Sequence, residues 1–138
     1  MIPGQEKIYD QYKSMLKIRV FEEEVLRLFS EGKLFGTTHA YIGQEANAVG
    51  VISNLEENDI VVSNHRCHGH YIAHKDNPYA LLCEMMGKKD GLCSGRGGSQ
   101  HICDKNFFSN GVQGGIMPLA LGLSYAEKFN GTNNIVTV

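Results

Sequence analysis

Two short runs of β-branched residues constrain the fold more than any other feature of the sequence. Residues 60–62 (Ile-Val-Val) follow a turn at residues 58–59, and residues 135–138 (Ile-Val-Thr-Val) follow Gly131. Such runs are typical of buried strands, and stretches with helical periodicity precede and separate them. This alternation is typical of an α/β domain. The sequence therefore predicts a parallel sheet flanked by helices, with residues 135–138 as a buried strand.

The first thirty residues carry the pattern of one long amphipathic helix. Pro3 suits the first turn of a helix, and Gly32 suits its end. Between them, apolar residues recur at helical spacing: Ile18, Phe21, Val25, Leu28 and Phe29. Because this spacing places them on one side of a helix, we predict a helix over residues 4–31 with one face in the core and the other in water.

Three further helices are predicted along the chain. The second covers residues 44–53, where small and apolar residues favour close packing. The third has Asn77 as its N-cap and Pro78 in its first turn, and ends before Gly87. The fourth has apolar residues at helical spacing and ends at Gly131.

Size and charge narrow the functional classes. With 138 residues, of which 42% are hydrophobic, the chain fits one globular domain with its own core. A formal net charge of -2 provides no basic surface for a nucleic acid or an anionic membrane. The opening residues are charged where a signal peptide has an apolar core, so we predict a cytoplasmic protein whose four cysteines are reduced.

One uncharged stretch could be mistaken for a membrane span. Residues 106–126 contain no Asp, Glu, Lys or Arg, but they include four glycines, a proline and several amides. These residues are poorly suited to a lipid-facing helix. We therefore predict no membrane segment, and interpret this stretch as a glycine-rich loop that leads into the fourth helix.

The polar cluster HRCHGH at residues 65–70 is the densest concentration of chemical groups, and three interpretations of it stay open. Histidines with cysteines elsewhere in the chain could bind a metal, although the spacing lacks two compact ligand pairs. The histidines could also have no functional role. Alternatively, Arg66 and its neighbours follow a predicted strand, and α/β proteins bind phosphates at the carboxyl ends of strands.

Two glycine-rich segments lie in the second half of the chain. Residues 88–110 show no clear periodicity and are predicted to be loop. Gly111, Gly114 and Gly115 can bring exposed backbone N–H groups close to a ligand near the start of a helix. Neither segment matches a nucleotide-binding loop such as GxGxxG or GxxxxGK[ST], so ATP and NAD are poor candidates.

Five ordered segments resemble the amino-terminal part of one family. They are RVFEEEVLRLFSEGK, HAYIGQEANAVG, NHRCHGH, GKKDGLCSGRGGSQHI and NGVQGGIMPLALGLSYAEKFNG. Together they resemble the α subunit of the thiamine diphosphate-dependent 2-oxo acid dehydrogenase E1 components of the pyruvate, branched-chain and acetoin complexes. The resemblance extends from about residue 10 to residue 138, and implies part of a thiamine diphosphate-binding α/β fold.

The resemblance implies specific roles around the cofactor. His65 and Arg66 match a pair that contacts the cofactor diphosphate. Gly111 and Gln113 match two positions whose backbone meets the aminopyrimidine ring. Gln113 stands where an apolar residue is usual, so it could bring an amide toward the substrate.

The resemblance also implies two histidines in the part of the site where the substrate binds. His39, just before YIGQE, matches a catalytic-site histidine that assists proton transfer or orients an intermediate. His101 lies in the GGSxH motif near the same pocket, where Gln100 replaces the usual Met. None of these side chains is implied to bind a metal.

The Mg²⁺ site of the family lies further along the chain. Family members continue from the last strand into a GDG…N motif that holds Mg²⁺, and this sequence contains no such motif. We therefore expect residues 1–138 to form a single, C-terminally incomplete domain. The Mg²⁺ ligands are expected on a missing downstream segment or a separate chain, with weak cofactor binding by this chain alone.

The resemblance also implies a reaction and its partners. The enzyme would be an oxidoreductase that acts on the aldehyde or oxo group of a donor with a disulfide acceptor. It would decarboxylate a small 2-oxo acid, or cleave acetoin, and pass the acyl group to a lipoyl acyltransferase, with an E1 β-type subunit completing the site. We expect inactivity without a complementary chain. A truncated, inactive binding module and an unrelated His/Cys metal-binding protein stay open as alternatives.

Overall fold

The computed structural model describes residues 4–138, which form five helices and four short strands. Pro3, predicted to start the first helix, lies outside the described residues. The elements in chain order are α1 Gln5–Ser30, α2 Glu45–Ile52, β1 Ile60–Ser63, α3 His68–Lys75, α4 Pro78–Met85, β2 Cys103–Asp104, β3 Phe107–Ser109, α5 Ile116–Asn130 and β4 Val136–Thr137.

The strands form one mixed sheet in the order β2-β3-β1-β4. β1 is parallel to both β3 and β4, whereas β2 pairs with β3 in antiparallel register. The predicted α/β fold with parallel strands is therefore confirmed, with an antiparallel edge strand in addition. Because Ser63 pairs with Ser109, the segments that leave β1 and β3 begin side by side at the carboxyl edge of the sheet.

The helices cover both faces of β1. Val61 belongs to the larger core, which α1, α2, α3 and α4 help to form. Ile60 and Val62 point to the opposite face and pack with Ala120 of α5. Successive residues of a strand point to opposite faces, so a single short strand serves both layers.

The helix ends follow the predicted capping signals. Asn77 Oδ1 accepts a hydrogen bond from Ala80 N, and Pro78 lies in the first turn of α4. Gly131 ends α5 with a φ of 68°, a left-handed conformation that favours glycine. Along α1, Ile18, Val25 and Leu28 are buried as predicted, whereas Phe29 is 44% exposed.

Two predictions about the strands were wrong in part. Residues 88–110 were predicted to be loop, but they contain β2 and β3, which are stabilised by pairing with each other and with β1. The last strand was predicted to be buried, but β4 is half-buried at the edge of the sheet, and Ile135 is 56% exposed. Among the described strands, β4 pairs with β1 alone, so its other edge has no strand beside it.

Candidate functional site

The two predicted site segments meet at the carboxyl edge of the sheet. Asn64, His65 and Arg66 follow β1, and residues 110–113 follow β3. Asn110 N donates to Ser63 O over 3.1 Å, which extends the parallel pairing by one bond. The fold therefore brings the diphosphate and pyrimidine candidates to one edge of the sheet. A strand end was predicted only before His65, whereas β3, which carries the second segment to this edge, was predicted to be loop.

Arg66 contributes a positive charge that is fixed in position at this edge. Its Nη1 donates to the Ala40 carbonyl oxygen over 2.6 Å, and its backbone N donates to Asn64 Oδ1 over 2.8 Å. The residue is half-buried, and among residues 4–138 no carboxylate forms an ion pair with it. A half-buried guanidinium without a counter-ion is suited to binding an anion, above all a phosphate.

His39 and His65 lie in direct contact beside Arg66. Their ring centroids are 4.7 Å apart and the rings are inclined by 82°. Gln113 Nε2 lies 3.3 Å from His65 Nδ1, and Gln100 Nε2 lies 3.3 Å from His39 Nδ1. The site therefore holds a continuous series of four polar side chains from four separate segments of the chain.

The two amides determine which ring nitrogens carry protons. An amide nitrogen can only donate, so each contact requires the Nδ1 atom to accept. In its neutral form, each of the two rings then carries its proton on Nε2. Burial lowers the pKa of His39, with smaller contributions from the charges of His65, Arg66 and His68. His39 is accordingly neutral at pH 7, with an Nε2–H that can donate.

His101 and Gly111 form a second contact at the same edge. Gly111 N donates to His101 Nδ1 over 3.5 Å, and the His101 side chain is exposed. A Cβ atom on Gly111 would lie too close to the side-chain oxygen of Gln100, so a larger residue here would displace the Gln100 amide. All six predicted site residues are thus near the carboxyl edge, with His101 joined through Gly111.

A buried carboxylate holds the glycine-rich segment below the site, and sequence reasoning missed it. Glu84 in α4 is fully buried, and its Oε2 accepts from Cys93 N over 2.6 Å and from Gly95 N over 2.9 Å. Its Oε1 accepts from Gly97 N over 2.6 Å. An acidic residue between the buried residues Leu81 and Met85 was the available signal.

A second buried group attaches the same segment to α1 and α3. His68 Nε2 lies 3.0 Å from Ser99 O, and His68 Nδ1 lies 2.8 Å from Glu22 Oε1. Both side chains are fully buried. The carbonyl oxygen of Ser99 can only accept, so Nε2 of His68 donates to it and Nδ1 faces the Glu22 carboxylate.

The histidines of the HRCHGH cluster therefore have separate environments. His65 faces the site, His68 is buried against Glu22, and His70 lies between two hydroxyl groups. Within residues 4–138, no group of three or more His, Cys, Asp or Glu side chains could hold a metal ion. The four cysteines are free thiols. No helix in this described range has the length and apolar character required to cross a membrane.

Comparison with known proteins shows which family this chain resembles. A family model described as the dehydrogenase E1 component matches residues 12–138. The chain is 42% identical over 134 residues to the α subunit of acetoin:2,6-dichlorophenolindophenol oxidoreductase from Bacillus subtilis (strain 168), covering 95% of this chain and 40% of that protein. It is 39% identical over 136 residues to the pyruvate dehydrogenase E1 component subunit alpha of Rickettsia prowazekii (strain Madrid E), covering 96% and 42% respectively.

The match extends through every element of the described structure except the start of α1. The chain spans 40% to 42% of the length of these two relatives. The resemblance inferred from five ordered segments is confirmed by a family match that covers them all. The chain belongs to the dehydrogenase E1 component family.

Proposed function

We propose that this chain supplies part of the thiamine diphosphate site of an E1 component. The observation that carries the proposal is Arg66, a fixed guanidinium without a carboxylate partner among the described residues, beside His65 at the carboxyl edge of the sheet. A diphosphate presents several anionic oxygens to such a planar donor group. The donor set therefore fits the diphosphate end of this cofactor.

The segment after β3 supports the ring end of the same proposal. Its backbone is held by the Asn110 bond to Ser63 and by Asn110 Oδ1, which accepts from Val112 N over 2.8 Å. Gly111 and Gln113 therefore occupy defined positions, with the Gln113 amide beside His65, and their peptide groups would contact the aminopyrimidine ring. A fixed backbone offers donors and acceptors without a further ordering cost on binding.

Thiamine diphosphate, when bound, supplies the nucleophilic carbon and the electron sink for cleaving the bond beside a carbonyl group. The residues of this chain would orient the reactants and handle protons. Neutral His39 can donate from Nε2 to an oxygen of the substrate, while Gln100 holds its Nδ1 side. His101 is exposed at the same edge of the sheet, where it would lie near the substrate.

The complete reaction requires groups that this sequence does not contain. We propose that a 2-oxo acid is decarboxylated, or acetoin cleaved, and that the acyl group passes to a lipoyl acyltransferase. Mg²⁺ would be held by a GDG…N segment outside residues 1–138, in the same or a separate chain. The relatives are named as α subunits, which supports an E1 β-type partner subunit. Oxidoreductase activity with a disulfide acceptor would belong to that assembly.

Calorimetric titration with thiamine diphosphate and Mg²⁺ tests this proposal. The chain is titrated alone, then with an E1 β-type subunit and a polypeptide carrying the GDG…N motif. We expect binding by the assembly and weak or undetectable binding by the chain alone. An assembly that forms but binds no cofactor would favour the alternative, a catalytically inactive binding module.

Arg66→Ala should weaken the affinity of the competent assembly for thiamine diphosphate. Loss of a charge-assisted hydrogen bond is worth about 1 to 3 kcal/mol, or roughly 5- to 150-fold in the dissociation constant. Arg96→Ala is the matched control, because Arg96 is an exposed arginine of the glycine-rich segment whose Nε contacts Cys93 O at 3.4 Å. Unchanged affinity in Arg66→Ala would contradict the diphosphate assignment.

His39→Ala should lower turnover more than cofactor affinity. The reason is that His39 is placed to move a proton at Nε2, while Arg66 carries the charge that faces the diphosphate. Steady-state kinetics of the assembly give kcat, and calorimetry gives the cofactor dissociation constant. Equal losses in both quantities would indicate that His39 acts by holding the site together.

A further inference from the structure

His70 lies between two hydroxyl groups just below the candidate site. Its Nδ1 is 2.7 Å from Ser63 Oγ, and its Nε2 is 2.9 Å from Tyr41 OH. The Tyr41 and His70 rings also meet edge to face, with centroids 4.9 Å apart. The proposed function gives His70 no role, because His70 is not among the residues placed against the cofactor or the substrate.

Both hydrogen bonds of His70 can form at the same time. Burial lowers the pKa of His70 to about 4, so the imidazole is neutral at pH 7, with one donor and one acceptor nitrogen. Burial raises the pKa of Tyr41, whose hydroxyl therefore keeps its proton. Since each hydroxyl can donate or accept, the ring is satisfied on both sides in either tautomer.

The two partners of His70 are attached to different site segments. Ser63 is the last residue of β1, and its carbonyl oxygen accepts from Asn110 N at the start of the second segment. Tyr41 follows Ala40, whose carbonyl oxygen accepts from Arg66. The ring therefore connects the backbone that carries His39 with the backbone that carries the diphosphate candidates.

The packing around Tyr41 leaves little freedom in this connection. Tyr41 is fully buried, and its ring lies so close to Gly69 that a Cβ atom there would overlap it. Gly69 precedes His70 in α3, so the helix holds both rings of the connection. A buried and directional hydrogen-bond network of this kind specifies one arrangement of the groups attached to it.

We propose that His70 is a positioning residue that fixes the segment bearing His39 against the segment bearing His65 and Arg66. It acts through Tyr41 on one side and Ser63 on the other. The consequence for cofactor affinity rests on the proposed function. The placement of His39 against His65 does not, because it can be measured in the chain without any ligand.

Nuclear magnetic resonance of the histidine rings tests the proposal in the free chain. In His70→Phe, which keeps an aromatic ring but loses both hydrogen bonds, we expect the cross-peaks between the His39 and His65 rings to disappear. The pKa of His39 should rise toward its ordinary value of 6.5, since burial and the charges of His65 and Arg66 lower it in the wild type. His70→Gln can donate and accept, so it should retain part of both signals.

His74→Phe is the matched control. His74 lies one turn further along α3, is half-buried, and packs its ring near Phe107 away from the site segments. Its substitution should leave the His39 pKa and the cross-peaks unchanged. If folded His70→Phe behaves like this control, the proposal is wrong.

A second pair of variants covers the case in which His70→Phe does not fold. Tyr41→Phe and Ser63→Ala each remove one of the two bonds, and each should shift the His39 signals part of the way. If both leave these signals as in the wild type, the proposal fails.

The ligand measurement separates this proposal from the proposed function. In a competent assembly, His70→Phe should weaken thiamine diphosphate binding by roughly 2- to 10-fold, the scale of one neutral hydrogen bond, and more than His74→Phe does. An assembly that binds no cofactor, with ring signals that respond to His70→Phe, would contradict the proposed function and retain the positioning role.

Discussion

Glu84→Gln should lower the free energy of unfolding by about 1 to 3 kcal/mol, the scale for leaving a buried hydrogen-bond donor without its acceptor. The carboxylate accepts three backbone N–H bonds, from Cys93, Gly95 and Gly97. An amide offers one oxygen, and its NH₂ group would face a backbone donor. At least one of the three N–H groups would then lose its acceptor in a site closed to water.

Urea denaturation measures this loss, and hydrogen exchange locates it. The amide protons of Cys93, Gly95 and Gly97 should exchange faster in Glu84→Gln, because the segment they hold opens without global unfolding. Asp90→Asn is the matched control, since Asp90 is an exposed acidic residue of the same segment. If exchange at the three amides matches that of the wild type, Glu84 does not anchor the segment.

Glu22→Ala should also destabilise the protein by about 3 to 5 kcal/mol, because it leaves His68 buried without its partner. The two side chains are fully buried and 2.8 Å apart, and Glu22 Oε2 has no hydrogen-bond partner in the part of the chain that the structure describes. Chemical denaturation gives the change in unfolding free energy. Glu23→Ala, at the exposed neighbouring position, should change stability by less than about 0.5 kcal/mol.

A double variant shows whether the loss comes from an unpaired buried group. Glu22→Leu combined with His68→Phe replaces the pair by apolar side chains, and such replacements are often neutral or stabilising. The double variant should therefore be more stable than the sum of the two single losses predicts. Simple additivity of Glu22→Leu and His68→Phe would show that the two residues contribute independently.

The helices could be predicted where local signals agree with each other. Asn77 and Pro78 mark the start of α4, and Gly131 marks the end of α5. By contrast, α3 has no apolar periodicity in its HGHYIAHK sequence, and it packs because Tyr71 and Ile72 enter the core. β2 and β3 are too short for any local pattern and depend on pairing with distant residues.

The candidate site could be predicted in position but not in its supports. His65 and Arg66 were expected at a strand end, whereas the position of Gly111 beside them depends on β3, which was predicted to be loop. Glu84 and Glu22 could not be assigned, because their partners are backbone groups or side chains that are distant in sequence. A carboxylate within an apolar helix face indicates burial, but it does not indicate what the carboxylate binds.

The four residues of β1 also determine the alignment of the site through their register. Val61 faces the core beneath α3, and Ser63, two residues later, directs its hydroxyl to His70 on that side. A shift of one residue would turn Ile60 and Val62 from α5 toward the larger core, and it would move Ser63 away from His70 and from its partner Ser109. The alignment of the candidate site therefore depends on apolar packing, which must discriminate between two strand registers about 3.3 Å apart.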